Sequence, residues 1–136
     1  MMNLIGLSAA FATFLSIWFG HVAVRKIEFN SPSIWLPASA FAIVGITFEW
    51  LSLIASSFFL STTCGIIGIT LLWDALEFTR QQNRIKKGHA PANPDNPRHV
   101  RLMREYTSVT TLNLLKRDPI DEPVSHSETI QLLTKH

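Results

Sequence analysis

Ile34–Trp73 reads IWLPASAFAIVGITFEWLSLIASSFFLSTTCGIIGITLLW, forty residues with a single charge, Glu49. A helix needs about 20 apolar residues to cross a ~30 Å hydrocarbon layer, so the stretch holds two crossings, not one. The break falls at Ser56 and Ser57. Inside lipid every backbone N–H and C=O must be satisfied within its own segment, so both halves read as helices. The expected spans are residues 34–55 and 58–78, the second lengthened past Trp73 by Ala75, Leu76 and Phe78. Toward the N-terminus, residues 3–24 form a third apolar stretch with no charge. A cleaved secretion signal carries its basic residues ahead of the apolar run. Here Arg25 and Lys26 follow it, so it reads as a retained span.

The rest of the chain differs in kind. Of 22 charged residues in 136, only six precede Arg80: Arg25, Lys26, Glu28, Glu49, Asp74 and Glu77. A soluble domain spreads charge over its surface positions, which excludes a soluble fold for the whole chain. One cysteine, Cys64, excludes an internal disulfide and any cysteine-built metal centre. The expected fold is therefore an all-α membrane protein. Three transmembrane helices occupy residues 1–79, a helix extension and Pro-rich linker residues 80–97, and an extended, partly helical cytoplasmic tail residues 98–136.

Basic residues near helix ends set orientation. Arg25 and Lys26 lie in the first connection, the turn at Ser56 and Ser57 is uncharged, and Arg80, Arg84, Lys86 and Lys87 follow the third span. This predicts the N-terminus outside and the C-terminal part in the cytosol of a bacterial inner membrane. Trp35 and Trp73, with Arg25 and Lys26, are the expected membrane-interface residues. Each span also has a small-residue face: Ala12, Ser16 and Gly20; Ala38, Ala42 and Gly45; Ser61, Gly65 and Gly68. Such faces allow close helix contact, within a three-helix bundle or against a larger partner, and the sequence leaves both open.

Beyond the third span, Gly88 is placed to end the helix in a left-handed conformation. Pro91, Pro94 and Pro97 predict a stiff, extended linker. Asn96 is a predicted cap for a helix whose first residue is Pro97. Val100, Met103 and Tyr106 would form its apolar stripe, and Arg98, Arg101 and Arg104 its basic side. Arg98, Arg101, Met103, Arg104 and Tyr106 are thus the candidate partner-binding residues. Thr107–Thr111 weakens any longer helix, and Ser125–Glu128 fits a capping box for a last short one. The tail has too few apolar residues for a core of its own, so another subunit is expected to hold it.

Ionisable groups inside a membrane raise a functional question by default. Glu49 reads either as a proton carrier or quinone hydrogen-bond partner, or as a carboxyl paired with a neighbouring helix. His21 shares a helical face with Arg25 and Glu28. It reads either as a quinone or haem contact, or as a helix-end residue favoured by the helix dipole. The remaining four histidines all lie in the tail, so a haem held by this chain alone is not expected. Pairing with Arg25 and Lys26 is the simpler reading of Asp74 and Glu77. Cys64 reads as a small buried residue. No phosphate loop, zinc pattern, dinucleotide fingerprint or nucleophile–base spacing occurs.

Several patches together resemble a known family. They are Met2-Asn3-Leu4-Ile5-Gly6-Leu7, Phe19-Gly20-His21-Val22 followed by Lys26-Ile27-Glu28, Gly65-Ile66-Ile67-Gly68, Leu72-Trp73 with Glu77-Phe78, and Arg84-Ile85-Lys86-Lys87-Gly88 with Pro91 and Pro94. In order and spacing they are similar to an uncharacterised bacterial domain-of-unknown-function family of short membrane proteins, over about residues 2–97. The resemblance implies three membrane helices and a bacterial inner membrane, and no activity. Gly20 and His89 depart from the family pattern, and the tail after Pro97 is an addition to it.

These readings lead to a non-enzymatic accessory or anchor subunit of a larger membrane complex, its tail gripping another subunit. Lipid is the expected bound small molecule, no cofactor is expected on this chain alone, and nucleic acid is not an expected partner. The alternative is direct participation in quinone or proton coupling in a redox complex, with His21 and Glu49 lining a site at a subunit interface. A further alternative is a small homo-oligomeric channel or transporter, resting on Glu49 and the small-residue faces.

Overall fold

The computed structural model describes residues 4–113. Within them lie helices α1 (Leu4–Asn30), α2 (Trp35–Ile54), α3 (Phe58–Lys86) and α4 (Pro97–Glu105). The expected helix after Ser125 lies outside the described residues. The first three helices are long and apolar enough to cross a membrane. α1 has 27 residues and α3 has 29, where residues 3–24 and 58–78 were expected to span. At 1.5 Å per residue they measure about 40 and 44 Å, longer than a ~30 Å hydrocarbon core. Helix formation continues past Arg25 and Lys26 because no proline or glycine intervenes before Asn30.

α3 is the central helix, and α1 and α2 each pack along it. The Ser16 and Thr70 hydroxyl oxygens lie 3.3 Å apart, and one turn on Gly20 meets Asp74, so α1 and α3 are parallel. Ser52 and Ser61 exchange hydroxyl-to-carbonyl bonds of 2.8 Å while Gly45 meets Leu72, so α2 and α3 are antiparallel. The small-residue faces are therefore used inside the bundle. Leu4 and Phe58 lie equally far before the Ser16–Thr70 contact, so α1 and α3 start level and run on side by side to Asn30 and Lys86, and that shared end is the scaffold for residues 88–110.

Two apolar clusters form at this end. Val24, Ile34 and Phe78 bury one another, with Phe41 edge-on to Phe78 at 5.3 Å. Farther out, Ile85, Ala90, Ala92, Leu102 and Val109 form a second core, joined by Met103. The segment expected as an extended linker is part of this core. Alanine at positions 90 and 92 lets the backbone lie close to Ile85, and the Ala92 N–H donates to Thr110 O at 2.8 Å. From Gly88 through Val109, then, the polar segment packs on its own chain.

Gly88 ends α3 as expected, with φ of 72°. Its N–H bonds Ile85 O at 2.9 Å and the His89 N–H bonds Arg84 O at 2.8 Å, the paired closure that returns a chain sharply from a helix end. An added methyl group here would meet Ser108 O, whose residue also donates its hydroxyl to Lys86 O. Gly88→Ala is expected to cost about 1–2 kcal/mol or more, from left-handed strain alone. Limited trypsinolysis should show faster cleavage around Lys86–Lys87 than in the native chain.

Candidate functional site

The polar residues converge where the cap formed by residues 88–110 meets the end of α1. Asn96 caps α4, accepting from the Arg98 N–H at 3.0 Å with Pro97 at the first helical position, as its sequence predicts. The Asn96 amide also donates to Phe29 O at 3.0 Å and Ser31 O at 2.9 Å. Asn93 donates to Phe29 O at 3.1 Å. One helix start therefore satisfies carbonyls that the end of another leaves unpaired.

At the centre lies Glu28, 1% exposed. Arg98 Nη2 donates to its Oε1 at 2.7 Å and to its backbone carbonyl at 2.7 Å, and Arg98 Nε reaches Ser31 O at 3.3 Å. His99, fully buried, lies 3.1 Å from the same Oε1 through Nε2. The Asn93 N–H donates to His99 Nδ1 at 2.8 Å, so Nδ1 is an acceptor and the ring hydrogen belongs on Nε2. Arg98 and His99 thus share one carboxylate oxygen as two donors 2.8 Å apart. This arrangement is a clasp: it fixes α4 to α1 at a defined rotation.

The clasp explains why α4 is turned relative to the expected face. His99 and Leu102 point inward, Met103 is half-buried, and Tyr106 is exposed with Lys86 Nζ 5.3 Å from its ring. Arg98 is buried on Glu28, while Arg101 and Arg104 remain exposed. Of the five candidate partner-binding residues, Arg101, Arg104 and Tyr106 face outward. Glu28 and His99 were not singled out as a pair by sequence. The available signal was an acid at the end of an apolar helix and an Arg-His pair following a capped proline, 70 residues apart.

Other ionisable groups sit in the helix seams. Glu49 folds across Gly68, where an added methyl group would lie 2.8 Å from its Oε1. Asp74 is buried against Gly20, and its Oδ2 has no hydrogen-bond partner. His21 is exposed and lines a small cleft with Asp74 and Trp73. The structure therefore does not bring His21 and Glu49 together: they lie in different seams, and Asp74 is the acid beside His21. Glu77 pairs with Arg84 at 3.0 Å and Arg80 at 3.7 Å on its own helix, in place of the expected Arg25 and Lys26. Cys64 is buried, as its sequence context suggested. Trp35, 73% exposed, and Trp73, with Arg80 4.4 Å above its ring, both face outward, as do Arg25 and Lys26. Among the described residues no group of three or more His, Cys, Asp or Glu side chains is placed to share a metal ion.

A family profile described as a domain of unknown function, DUF4491, matches residues 3–96. The chain belongs to this family. The match ends at the residue that caps α4, so the family region of this DUF4491 protein contains α1–α3 and Glu28, while Arg98 and His99 lie just beyond it. No match is found among curated proteins or solved structures.

Proposed function

We propose that this DUF4491 protein is a non-catalytic accessory or anchor subunit of a larger complex in the bacterial inner membrane. Its N-terminus would lie outside and its cap in the cytosol. The orientation is supported by Arg25, Lys26, Arg80, Arg84, Lys86 and Lys87, which all fall at the cap end of the bundle. The observation that carries the reading is the clasp. Glu28, Arg98 and His99 hold α4 rigidly, so that Arg101, Arg104 and Tyr106 form an outward face. A rigid basic face bordered by an aromatic ring suits an acidic surface on a soluble subunit, because little side-chain and backbone ordering is left to oppose association.

Purification of the tagged full chain from native membranes in mild detergent is expected to bring partner subunits with it. The double variant Arg101→Glu, Arg104→Glu should lower their recovery about tenfold or more, with the amount of membrane-inserted chain unchanged. A monodisperse single-chain particle from the native protein would overturn the proposal.

A further inference from the structure

A cleft of about 750 Å³ runs between α1 and α3, with Phe41 of α2 at its side. It extends along α1 from Leu4 to Ala23, about 28 Å at 1.5 Å per residue. Its walls include Phe11, Phe19, Phe59 and Ile67. Four hydroxyl residues also line it, but each donates to a carbonyl of its own helix: Ser8 to Ile5, Ser16 to Ala12, Thr63 to Phe59 and Thr70 to Ile66. Asp74 differs. It closes the cap end of the cleft, is 3% exposed, and keeps Oδ2 without a hydrogen-bond partner.

We infer that this cleft binds a single long-chain amphiphile whose hydroxyl head donates a hydrogen bond to Asp74. Ligand sites are typically of ~300–1,000 Å³, mostly apolar, with a few polar groups that fix orientation. Among the polar groups lining this cleft, Asp74 alone offers a buried carboxyl oxygen without a partner, a stronger acceptor than a hydroxyl already bonded to its own helix, and it sits at one end. The ligand is therefore asymmetric: apolar along its length, with a donor at its tip. The head is small and uncharged or cationic, because a buried carboxyl repels a phosphate or carboxylate head. The chain is long. A ~28 Å cleft is nearly twice the depth of one leaflet, about half of a ~30 Å core, so an ordinary acyl chain fills only part of it. An isoprenoid alcohol or quinol satisfies all three conditions, and a long monoacylglycerol satisfies the head requirement. Gly20 is what admits the acid to this position, since a methyl group there would lie 2.6 Å from Asp74 Cγ. This inference is independent of the outward face of α4.

The test reconstitutes the full chain in lipid nanodiscs and labels it with a photoreactive diazirine-bearing long-chain alcohol, with the corresponding methyl ether as control. The alcohol is expected to label cleft residues about tenfold more than the ether, which cannot donate. Asp74→Leu should abolish that preference, and Asp74→Asn, which retains an oxygen acceptor, should preserve most of it. Ala12→Phe fills the cleft away from Asp74 and should block both probes. Competition by an isoprenoid quinol or by a monoacylglycerol distinguishes the two sources of the same head chemistry. Equal labelling by alcohol and ether overturns the inference, as does a preference that survives Asp74→Leu. Crosslinking of another transmembrane helix into the cleft also overturns it. If Asp74→Leu does not fold, the alcohol-to-ether ratio of the native chain and the Ala12→Phe result decide the matter.

Discussion

Arg98→Met is expected to destabilise the cap by about 3–5 kcal/mol, the range for removing one partner of a buried ion pair. Glu28 is 1% exposed and the Arg98 side chain 9%. Without the guanidinium, the carboxyl keeps only His99 as a donor, the Glu28 carbonyl loses the Arg98 bond, and the Ser31 carbonyl is left with Asn96. The cost arises from the unpaired acid more than from the lost attraction. The double variant Glu28→Met, Arg98→Met should therefore recover most of the loss, since an apolar pair of similar volume leaves no buried charge. Thermal unfolding in detergent, with trypsin cleavage of the cap as a second readout, measures both. A single variant as resistant as the native chain would show that the clasp does not hold the cap. A double variant worse than the single would show that the charge itself is required.

The second large effect is expected at the seam of α2 and α3. At Gly68 an added methyl group would lie 2.9 Å from the Glu49 backbone nitrogen and 3.0 Å from its Cγ. Backbone cannot swing aside as a flexible side-chain tip can, so the two helices must separate. Gly68→Ala should cost about 1–3 kcal/mol, in the range for overpacking a tight contact, and Gly68→Ile more. Separation also loosens the reciprocal Ser52–Ser61 bonds farther along the same seam. Gly6→Ala is the control, because nothing lies within 4 Å of that position. Glycine is a poor helix former, so this substitution should be neutral or slightly stabilising. Equal melting temperatures for the Gly68 and Gly6 variants would refute the close-packed seam.

The behaviour of particular residues shows what could be read in advance. Gly88 and Asn96 behave as their local sequence dictates, because a left-handed helix end and an Asn-Pro helix start depend on a few neighbouring backbone atoms. The structure turns α4 by one residue from the face that its apolar spacing favours. Its apolar spacing favoured Val100, Met103 and Tyr106, yet His99 and Leu102 point inward. A nine-residue helix with few apolar positions has a weak preference of its own, and a buried ion pair outweighs it. Asp74 and Glu77 show the same limit. Both are acids on one helix three residues apart, but one meets a glycine on α1 and the other an arginine two turns along its own helix.

Three helices long and apolar enough to cross a membrane, their breaks and the concentration of basic charge near their ends were determined by the sequence alone. Span length and the need to satisfy backbone groups in lipid are properties of each segment by itself. Only the tertiary structure decided which small residues meet, that residues 88–110 fold back on their own chain, and that Glu28 belongs to Arg98 and His99. Those outcomes depend on how far two parallel helices run on together, and on pairings between residues 70 positions apart, whose members a local pattern can mark but whose pairing it cannot.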